Sequence, residues 1–165
     1  MQPGKTILLV EDSASDVELA RRAFAKGQIR TNLVVASDGQ EALDYLFAEG
    51  AYAGRDRSDL PALTLLDLKL PKVSGLEVLR RIRNEPLTRW IPVVVLSSSR
   101  EQRDIAAAYD LRANSYLQKP VDFQHFVETV LHLGAYWLTL NEPPPIWYER
   151  PAEPTSAHTA AHSAI

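Results

Sequence analysis

Five short apolar runs alternate along the chain with five segments of helical periodicity. The runs are rich in branched side chains and cover residues 6–10, 32–37, 62–67, 91–98 and 115–118. Strands that are buried on both faces read as continuous apolar runs, and strand–helix alternation is typical of a parallel sheet with helices on both sides. The sequence therefore predicts an α/β fold with one five-stranded parallel sheet and five helices.

The helical segments begin and end at recognisable signals. They cover residues 13–27, 38–50, 75–85, 100–111 and 122–138. Ser15 and Glu18 fit a capping box at the start of the first helix, and Gly75 is expected to supply backbone freedom at the start of the third. A polar loop at 51–61, long for such a connection, precedes the third strand.

Composition excludes several classes of protein. The chain has 165 residues, 45% of them hydrophobic, which suits a single domain of ordinary size. Its formal net charge of -3 argues against a nucleic-acid partner, and the absence of cysteine excludes thiolate catalysis and cysteine metal sites. The first apolar run is too short for a signal peptide or a membrane span. We expect a soluble, cytoplasmic protein that binds neither nucleic acid nor membrane.

Polar side chains follow four of the five predicted strands. In open parallel sheets the ligand site lies beyond the carboxyl ends of the strands, and neighbouring strands are only about 5 Å apart. Side chains at these ends should therefore converge, although they are distant in sequence. The set consists of Glu11 and Asp12, then Asp67, then Ser97, Ser98 and Ser99, and finally Lys119.

This set suits phosphoryl chemistry. Three crowded carboxylates repel one another unless a cation compensates, and an all-oxygen site with few protein ligands is typical of Mg²⁺. An ammonium group and a hydroxyl group stabilise the oxygens of a transferring phosphoryl group. Asp67 is then the candidate nucleophile, forming an aspartyl phosphate. Each acid taken alone is more often an exposed loop residue, so the prediction depends on the combination.

Four sequence motifs carry a family resemblance. They are VEDS at 10–13, LLDLKLPKVSG at 65–75, PVVVLSS at 92–98 and SYLQKP at 115–120. Together they resemble the receiver domain of two-component response regulators over about residues 4–134. The resemblance implies a flavodoxin-like, doubly wound fold with strand order 2-1-3-4-5.

The resemblance also implies roles for the acidic residues. In that family, the residue at the position of Asp67 accepts a phosphoryl group from a sensor histidine kinase. Residues at the positions of Glu11 and Asp12 bind Mg²⁺ directly or through water. The backbone carbonyl at the position of Lys69 completes the metal site.

Three further positions correspond to the family's switch. Residues at the positions of Ser97 and Lys119 contact the phosphoryl oxygens. The aromatic residue at the position of Tyr116 rotates inward as the hydroxyl residue moves toward the phosphate. The resemblance therefore implies a phosphorylation-dependent change on the face formed by the fourth helix, the fifth strand and the fifth helix.

Two alternative functions remain open. Phosphatases similar to haloacid dehalogenases also use an aspartate nucleophile after a strand, but they need a second acid two residues later. Lys69 occupies that position here, so we expect no turnover of phosphomonoesters and no enzyme activity beyond the protein's own phosphorylation and dephosphorylation. The second alternative is a dimeric interaction module that works without phosphorylation.

The sequence predicts three segments, two of which make up the C-terminal region. Residues 1–134 are predicted to form the receiver domain, 135–148 a hydrophobic arm and 149–165 a disordered tail. We expect the arm to pack on a second copy of the chain and give a homodimer, with folding back on its own domain as the alternative. The candidate arm residues are Tyr136, Trp137, Leu140, Ile146, Trp147 and Tyr148.

The arm and the long loop add a second, more specific resemblance. Both features are similar to single-domain regulators that work with bacterial phytochromes, which implies a light-sensing histidine kinase as the phosphoryl donor. No residues remain after position 148 for a DNA-binding output domain, so we expect output through protein contacts or transfer of the phosphoryl group to a downstream phosphotransfer protein.

Overall fold

The computed structural model of the chain describes residues 4–145 and contains the predicted strands and helices. The strands are β1 (Lys5–Val10), β2 (Thr31–Ala36), β3 (Leu63–Leu66), β4 (Val93–Ser97) and β5 (Ser115–Gln118). The helices are α1 (Ala14–Lys26), α2 (Gly39–Phe47), α3 (Gly75–Asn84), α4 (Gln102–Asp110) and α5 (Phe123–Ala135). The predicted α/β fold is confirmed, with boundaries that differ by a few residues.

All five strands form one parallel sheet in the order β2-β1-β3-β4-β5, as predicted. Val10 pairs with Leu66, Leu66 pairs with Val95, and Ser97 pairs with Gln118. This register brings the carboxyl ends of β1, β3, β4 and β5 to the same edge of the sheet. The residues that follow these strands therefore share one site.

The sheet separates two apolar cores. Along β1, Leu8 and Val10 face one core while Ile7 and Leu9 face the other, as the two-residue period of a strand requires. Buried side chains of α2, α3 and α4 pack on the first face, and those of α1 and α5 pack on the second. Both faces are thus covered, which explains why the strands are continuously apolar.

Helix α1 begins differently from the sequence prediction. Ser13, in an extended conformation, caps the helix and accepts a hydrogen bond from the backbone N–H of Asp16, so the predicted capping box at Ser15 and Glu18 is wrong. Glu18 instead pairs with Arg22 one turn later on the helix surface. The helix starts almost directly after β1, which places its first turn beside the strand ends.

The chain beyond α5 begins by packing on its own domain. A π-helical turn (Tyr136–Leu140) continues α5, and within it Leu138 is only 7% exposed, in the same core as α1 and α5. Tyr136 and Leu140 are 49% and 72% exposed. The predicted arm residues Ile146, Trp147 and Tyr148, and the predicted disordered tail at 149–165, lie outside the described residues.

The part of the chain that the structure describes contains no candidate membrane-spanning helix. None of the helices within residues 4–145 has both the length and the apolar character needed to cross a bilayer.

Two buried threonines give a matched test of polar burial. Thr64 and Thr88 are both 0% exposed, but the Thr64 hydroxyl has no hydrogen-bond partner within residues 4–145, whereas the Thr88 hydroxyl donates to the Ile82 carbonyl at 2.8 Å. Thr64→Val should raise the free energy of unfolding by about 1 kcal/mol, because it removes an unpaired buried polar group.

Thr88→Val should lower that free energy by about 1–2 kcal/mol, because it leaves a carbonyl without its partner. Urea unfolding of both variants at neutral pH measures the two effects. Destabilisation of equal size in both variants would contradict this description of the Thr64 site.

Candidate functional site

Three carboxylates meet where β1 and β3 end. Glu11 and Asp67 are buried, with 4% and 7% exposure, and Asp12 is exposed beside them. One carboxylate oxygen from each residue lies within 4.8 Å of the others. The structure thus brings together the three acids that the sequence singled out, at the predicted edge of the sheet.

Lys119 lies among these acids and binds three carboxylates. Its Nζ is 2.6 Å from Glu11 Oε2 and 3.0 Å from both Asp67 Oδ2 and Asp16 Oδ2. The residue follows β5 directly, and its backbone N–H donates to the Ser97 carbonyl at 2.8 Å. Both ends of this side chain are therefore fixed, one by the sheet and one by the acids.

Sequence reasoning missed Asp16. It lies in the first turn of α1, four residues after Asp12, rather than at the end of a strand. The signal that would have identified it is the short connection between β1 and α1. Because the helix begins at Ala14, a side chain in its first turn points back over the ends of the strands.

Burial and ion pairing act in opposite directions at this site. Burial raises the pKa of Glu11, and its hydrogen bonds with Lys119 and Ser13 offset only part of that effect. Burial also lowers the pKa of Lys119, but the hydrogen bonds and charges of Glu11 and Asp67 outweigh it, so the net pKa is raised. Lys119 consequently remains a cation at any physiological pH.

The Asp67 carboxylate is held by its own turn. Its Oδ1 accepts a hydrogen bond from the Leu68 N–H at 2.7 Å, while the Asp67 N–H donates to the Val10 carbonyl at 3.1 Å. The Leu68 carbonyl in turn accepts from the Gly75 N–H at 2.9 Å. Asp67 is therefore tied to β1 on one side and to the start of α3 on the other.

Gly75 is needed for space and not for backbone freedom. Its φ angle is not positive, so the prediction that it supplies backbone freedom is wrong. A Cβ at this position would lie 2.1 Å from the Asp67 carbonyl oxygen. The first turn of α3 packs directly against the backbone of Asp67, and a side chain would force the two apart.

The two predicted switch residues are connected through Ser99. Ser97 is fully buried, and its hydroxyl accepts a hydrogen bond from the Ser99 N–H at 3.2 Å. The half-buried Tyr116 donates its hydroxyl hydrogen to the Ser99 carbonyl at 3.0 Å, and the Ser99 hydroxyl binds Asp104 on α4. Sequence reasoning placed Ser99 at a strand end but did not foresee that it joins Ser97, Tyr116 and α4.

The donor set fits a hard divalent cation. Mg²⁺ prefers carboxylate and carbonyl oxygens and keeps several waters, and the Glu11, Asp12 and Asp67 oxygens offer such ligands within one small region. Lys69 is exposed at the start of the loop after Asp67, and the role of its carbonyl stays a prediction.

A doubly wound parallel sheet with acids and a lysine at its carboxyl edge is the arrangement found in CheY-like receiver folds. Residues 7–131 match the family model described as the response regulator receiver domain. The chain therefore belongs to the response regulator receiver domain family, which confirms the predicted resemblance. Proteins of this family are signalling proteins and not conventional enzymes.

Relatives over most of the chain support this assignment. The probable methanogenesis regulatory protein FilR2 of Methanothrix harundinacea is 44% identical over 138 residues, which is 84% of this chain and 86% of that protein. The crystal structure of the phosphorylated cyanobacterial phytochrome response regulator RcpA is 40% identical with a TM-score of 0.80, covering 86% of this chain and 99% of that one.

A third relative was solved with a bound metal. The crystal structure of the Mn²⁺-bound form of response regulator Rcp1 is 38% identical with a TM-score of 0.78, covering 86% of this chain and 99% of that one. In sequence, Rcp1 of Synechocystis sp. is 39% identical over 136 residues, 82% of this chain and 90% of that protein. The predicted similarity to phytochrome-associated regulators is confirmed, and a divalent metal at the acidic pocket agrees with this relative.

A glycine pair tests how tightly Asp67 is held. Gly75→Ala should lower the free energy of unfolding by about 1–3 kcal/mol or more and weaken divalent metal binding, because the new methyl group displaces the Asp67 backbone. Gly54→Ala is the matched control, since a Cβ there meets no atom within 4 Å.

Chemical denaturation and a Mn²⁺ titration of both variants measure these effects. We expect Gly54→Ala to stay within about 1 kcal/mol of the native protein in stability and to bind metal normally. Normal stability and normal metal affinity in Gly75→Ala would contradict the close packing of α3 on Asp67.

Proposed function

We propose that the chain is a stand-alone response regulator in which Asp67 accepts a phosphoryl group from a sensor histidine kinase. The observation that supports this most strongly is the position of Asp67, at the end of a central strand, with one oxygen bound to Lys119. The crystal structure of phosphorylated RcpA gives independent support, because that protein is 40% identical in sequence to this chain.

The proposed reaction is a direct phosphoryl transfer. An oxygen of Asp67 attacks the phosphorus of a phosphohistidine, forming a P–O bond as the P–N bond breaks, and the bonding electrons remain on the imidazole of the kinase. Lys119 compensates negative charge on the phosphoryl oxygens, which is the role its raised pKa suits. Ser97 offers a hydroxyl on the neighbouring strand end.

Glu11, Asp12 and Asp67, with the Lys69 carbonyl, are the residues that would hold Mg²⁺. Bound there, the cation would neutralise charge on the phosphoryl oxygens. Lys119 binds both Glu11 and Asp67, so it keeps these two carboxylates close together.

A switch is proposed through Ser99. A Ser97 hydroxyl that turns toward a phosphoryl group on Asp67 must release the Ser99 N–H that it now accepts from. Ser99 also holds the Tyr116 hydroxyl and the Asp104 carboxylate, so its movement would alter the contacts of β5 and α4 together. This gives the α4–β5–α5 face two arrangements, one for each phosphorylation state.

The phosphoacceptor role is tested with a small phosphodonor. Incubation with acetyl phosphate and Mg²⁺ should produce a hydroxylamine-labile adduct, and Asp67→Asn should abolish it. Asp110→Asn, an exposed change on α4, is the matched control and should retain the full adduct.

Phosphate-affinity gel electrophoresis separates the phosphorylated from the unphosphorylated form of each variant. A full adduct in Asp67→Asn would refute the proposal. A normal affinity of that variant for every partner of the native protein would favour the interaction module that works without phosphorylation.

The proposed partners follow from the relatives. A light-sensing phytochrome kinase is the proposed donor, supported by the similarity to RcpA and to other phytochrome-associated regulators. The output is a protein contact on the switch face or transfer of the phosphoryl group to a downstream protein. We place this exchange in the cytoplasm, away from nucleic acid and membrane.

A homodimer is the proposed assembly. Tyr136 and Leu140 form an exposed apolar surface at the end of the chain's helical part, in contrast to the buried Leu138 between them. Such a surface favours self-association. Trp137 packs partly on its own domain. Ile146, Trp147 and Tyr148, which the sequence assigns to the same arm, lie outside the described residues.

Oligomeric state tests this part of the proposal. The double variant Tyr136→Ala/Leu140→Ala should shift the protein from dimer to monomer at micromolar concentration in analytical ultracentrifugation, because it removes both exposed side chains and keeps the buried Leu138. Val121→Ala, at a residue that is 97% exposed, is the control and should remain dimeric. An unchanged dimer in the double variant, or a monomeric native protein, would refute the arm contact.

A further inference from the structure

A small cleft lies at the opposite edge of the sheet from Asp67. It has a volume of about 140 Å³ and is lined by Arg83, Arg89, Trp90, Arg112 and Asn114. These residues come from the end of α3 and from the loops that precede β4 and β5. Among residues 4–145, no acidic side chain lines it, although the chain as a whole carries a net charge of -3.

The positive charge of this cleft is not compensated by carboxylates. Arg83 is only 7% exposed, and its guanidinium donates to the carbonyls of Arg112, Arg89 and Ile91 and to Asn114 Oδ1, all of them neutral acceptors. Within residues 4–145, none of the three arginines has a carboxylate oxygen within 4 Å. Burial first, and then the neighbouring charge of Arg112, lower the pKa of Arg83 to about 10, which still leaves it protonated at neutral pH.

Two of these arginines keep unused donors. The Nε of Arg89 is buried and has no hydrogen-bond partner among the described residues. Arg112 makes one weak contact, from Nη2 to the Arg83 carbonyl at 3.4 Å. Trp90 is 46% exposed, and the Arg89 guanidinium lies 5.3 Å from its ring centroid. A buried donor without an acceptor is costly, and a small rotation of the Arg89 side chain that turns Nε toward an anion in the cleft would satisfy it.

We propose that this cleft binds one phosphate group through Arg89 and Arg112. The guanidinium fork matches the oxygens of phosphate in a bidentate manner, and a dianion balances more of the local charge than a single carboxylate does. Pockets for whole small molecules occupy about 300–1,000 Å³, so a cleft of about 140 Å³ takes a single charged group. The site is separate from Asp67, and its occupancy does not depend on phosphorylation there.

The proposal is tested by NMR on the full chain in EDTA, with inorganic phosphate as the probe. We expect saturable shifts of the Arg89 and Arg112 Nε–H signals and of the Trp90 indole signal, with a dissociation constant of about 1 mM or tighter. Acetate at the same ionic strength should bind at least about tenfold more weakly. Arg89→Gln/Arg112→Gln should weaken phosphate binding by at least about tenfold while the amide spectrum remains that of the folded protein.

Arg21→Gln/Arg22→Gln removes the same charge from an exposed surface of α1 and should bind phosphate normally. Phenyl phosphate distinguishes two sources of the ligand. Tighter binding than inorganic phosphate indicates a phosphate carried on a larger molecule that contacts Trp90, and equal binding indicates free phosphate. Shifts that follow ionic strength without saturating, or normal binding in Arg89→Gln/Arg112→Gln, would overturn the proposal.

Discussion

The contact of one ammonium group with three carboxylates organises this protein. Lys119 reaches from the end of β5 to Glu11, Asp16 and Asp67, which lie just after β1, in the first turn of α1 and just after β3. Without a cation between them, three carboxylates in such close proximity would repel one another. The positive charge of the lysine offsets this repulsion and keeps the acids close together. Their oxygens can then hold a metal ion, and the ammonium group can compensate the charge of a phosphoryl group.

The same constraint links the site to the surface. The Lys119 backbone is hydrogen-bonded to Ser97, whose hydroxyl engages Ser99, and Ser99 in turn holds Tyr116. A change at the acidic end therefore reaches β5 and α4 through directly bonded groups. A two-state switch needs contacts that are present in one state and absent in the other. In the proposed function, the phosphoryl group makes such contacts, because it would bind Lys119 and Ser97 in competition with their present partners.

Local sequence patterns predicted the sheet and most of the site. Apolar runs identify strands buried on both faces, and the rule that ligands lie at strand ends then selects Glu11, Asp67 and Lys119 without any coordinates. Asp16 escaped this reasoning because it belongs to a helix, and its place in the site depends on how soon α1 follows β1. Ser13, which fixes that start, was overlooked in favour of Ser15.

Other features depend on distances that no periodic pattern contains. Gly75 is required because α3 approaches the Asp67 carbonyl closely, a contact between segments that only the folded backbone reveals. Arg83 reads as an ordinary charge on an amphipathic helix, yet it is buried with carbonyls from two loops as its partners. Its hydrogen bonds to the Arg89 and Arg112 carbonyls hold these two residues beside the same cleft.

The central claim is that Asp67, among several neighbouring acids, carries the phosphoryl group. Borohydride reduction of the phosphorylated protein converts an aspartyl phosphate to homoserine, and peptide mass spectrometry then locates the modified residue. The account predicts homoserine at position 67 and unmodified aspartate at positions 12 and 16. Homoserine at either of those positions, with Asp67 intact, would contradict it.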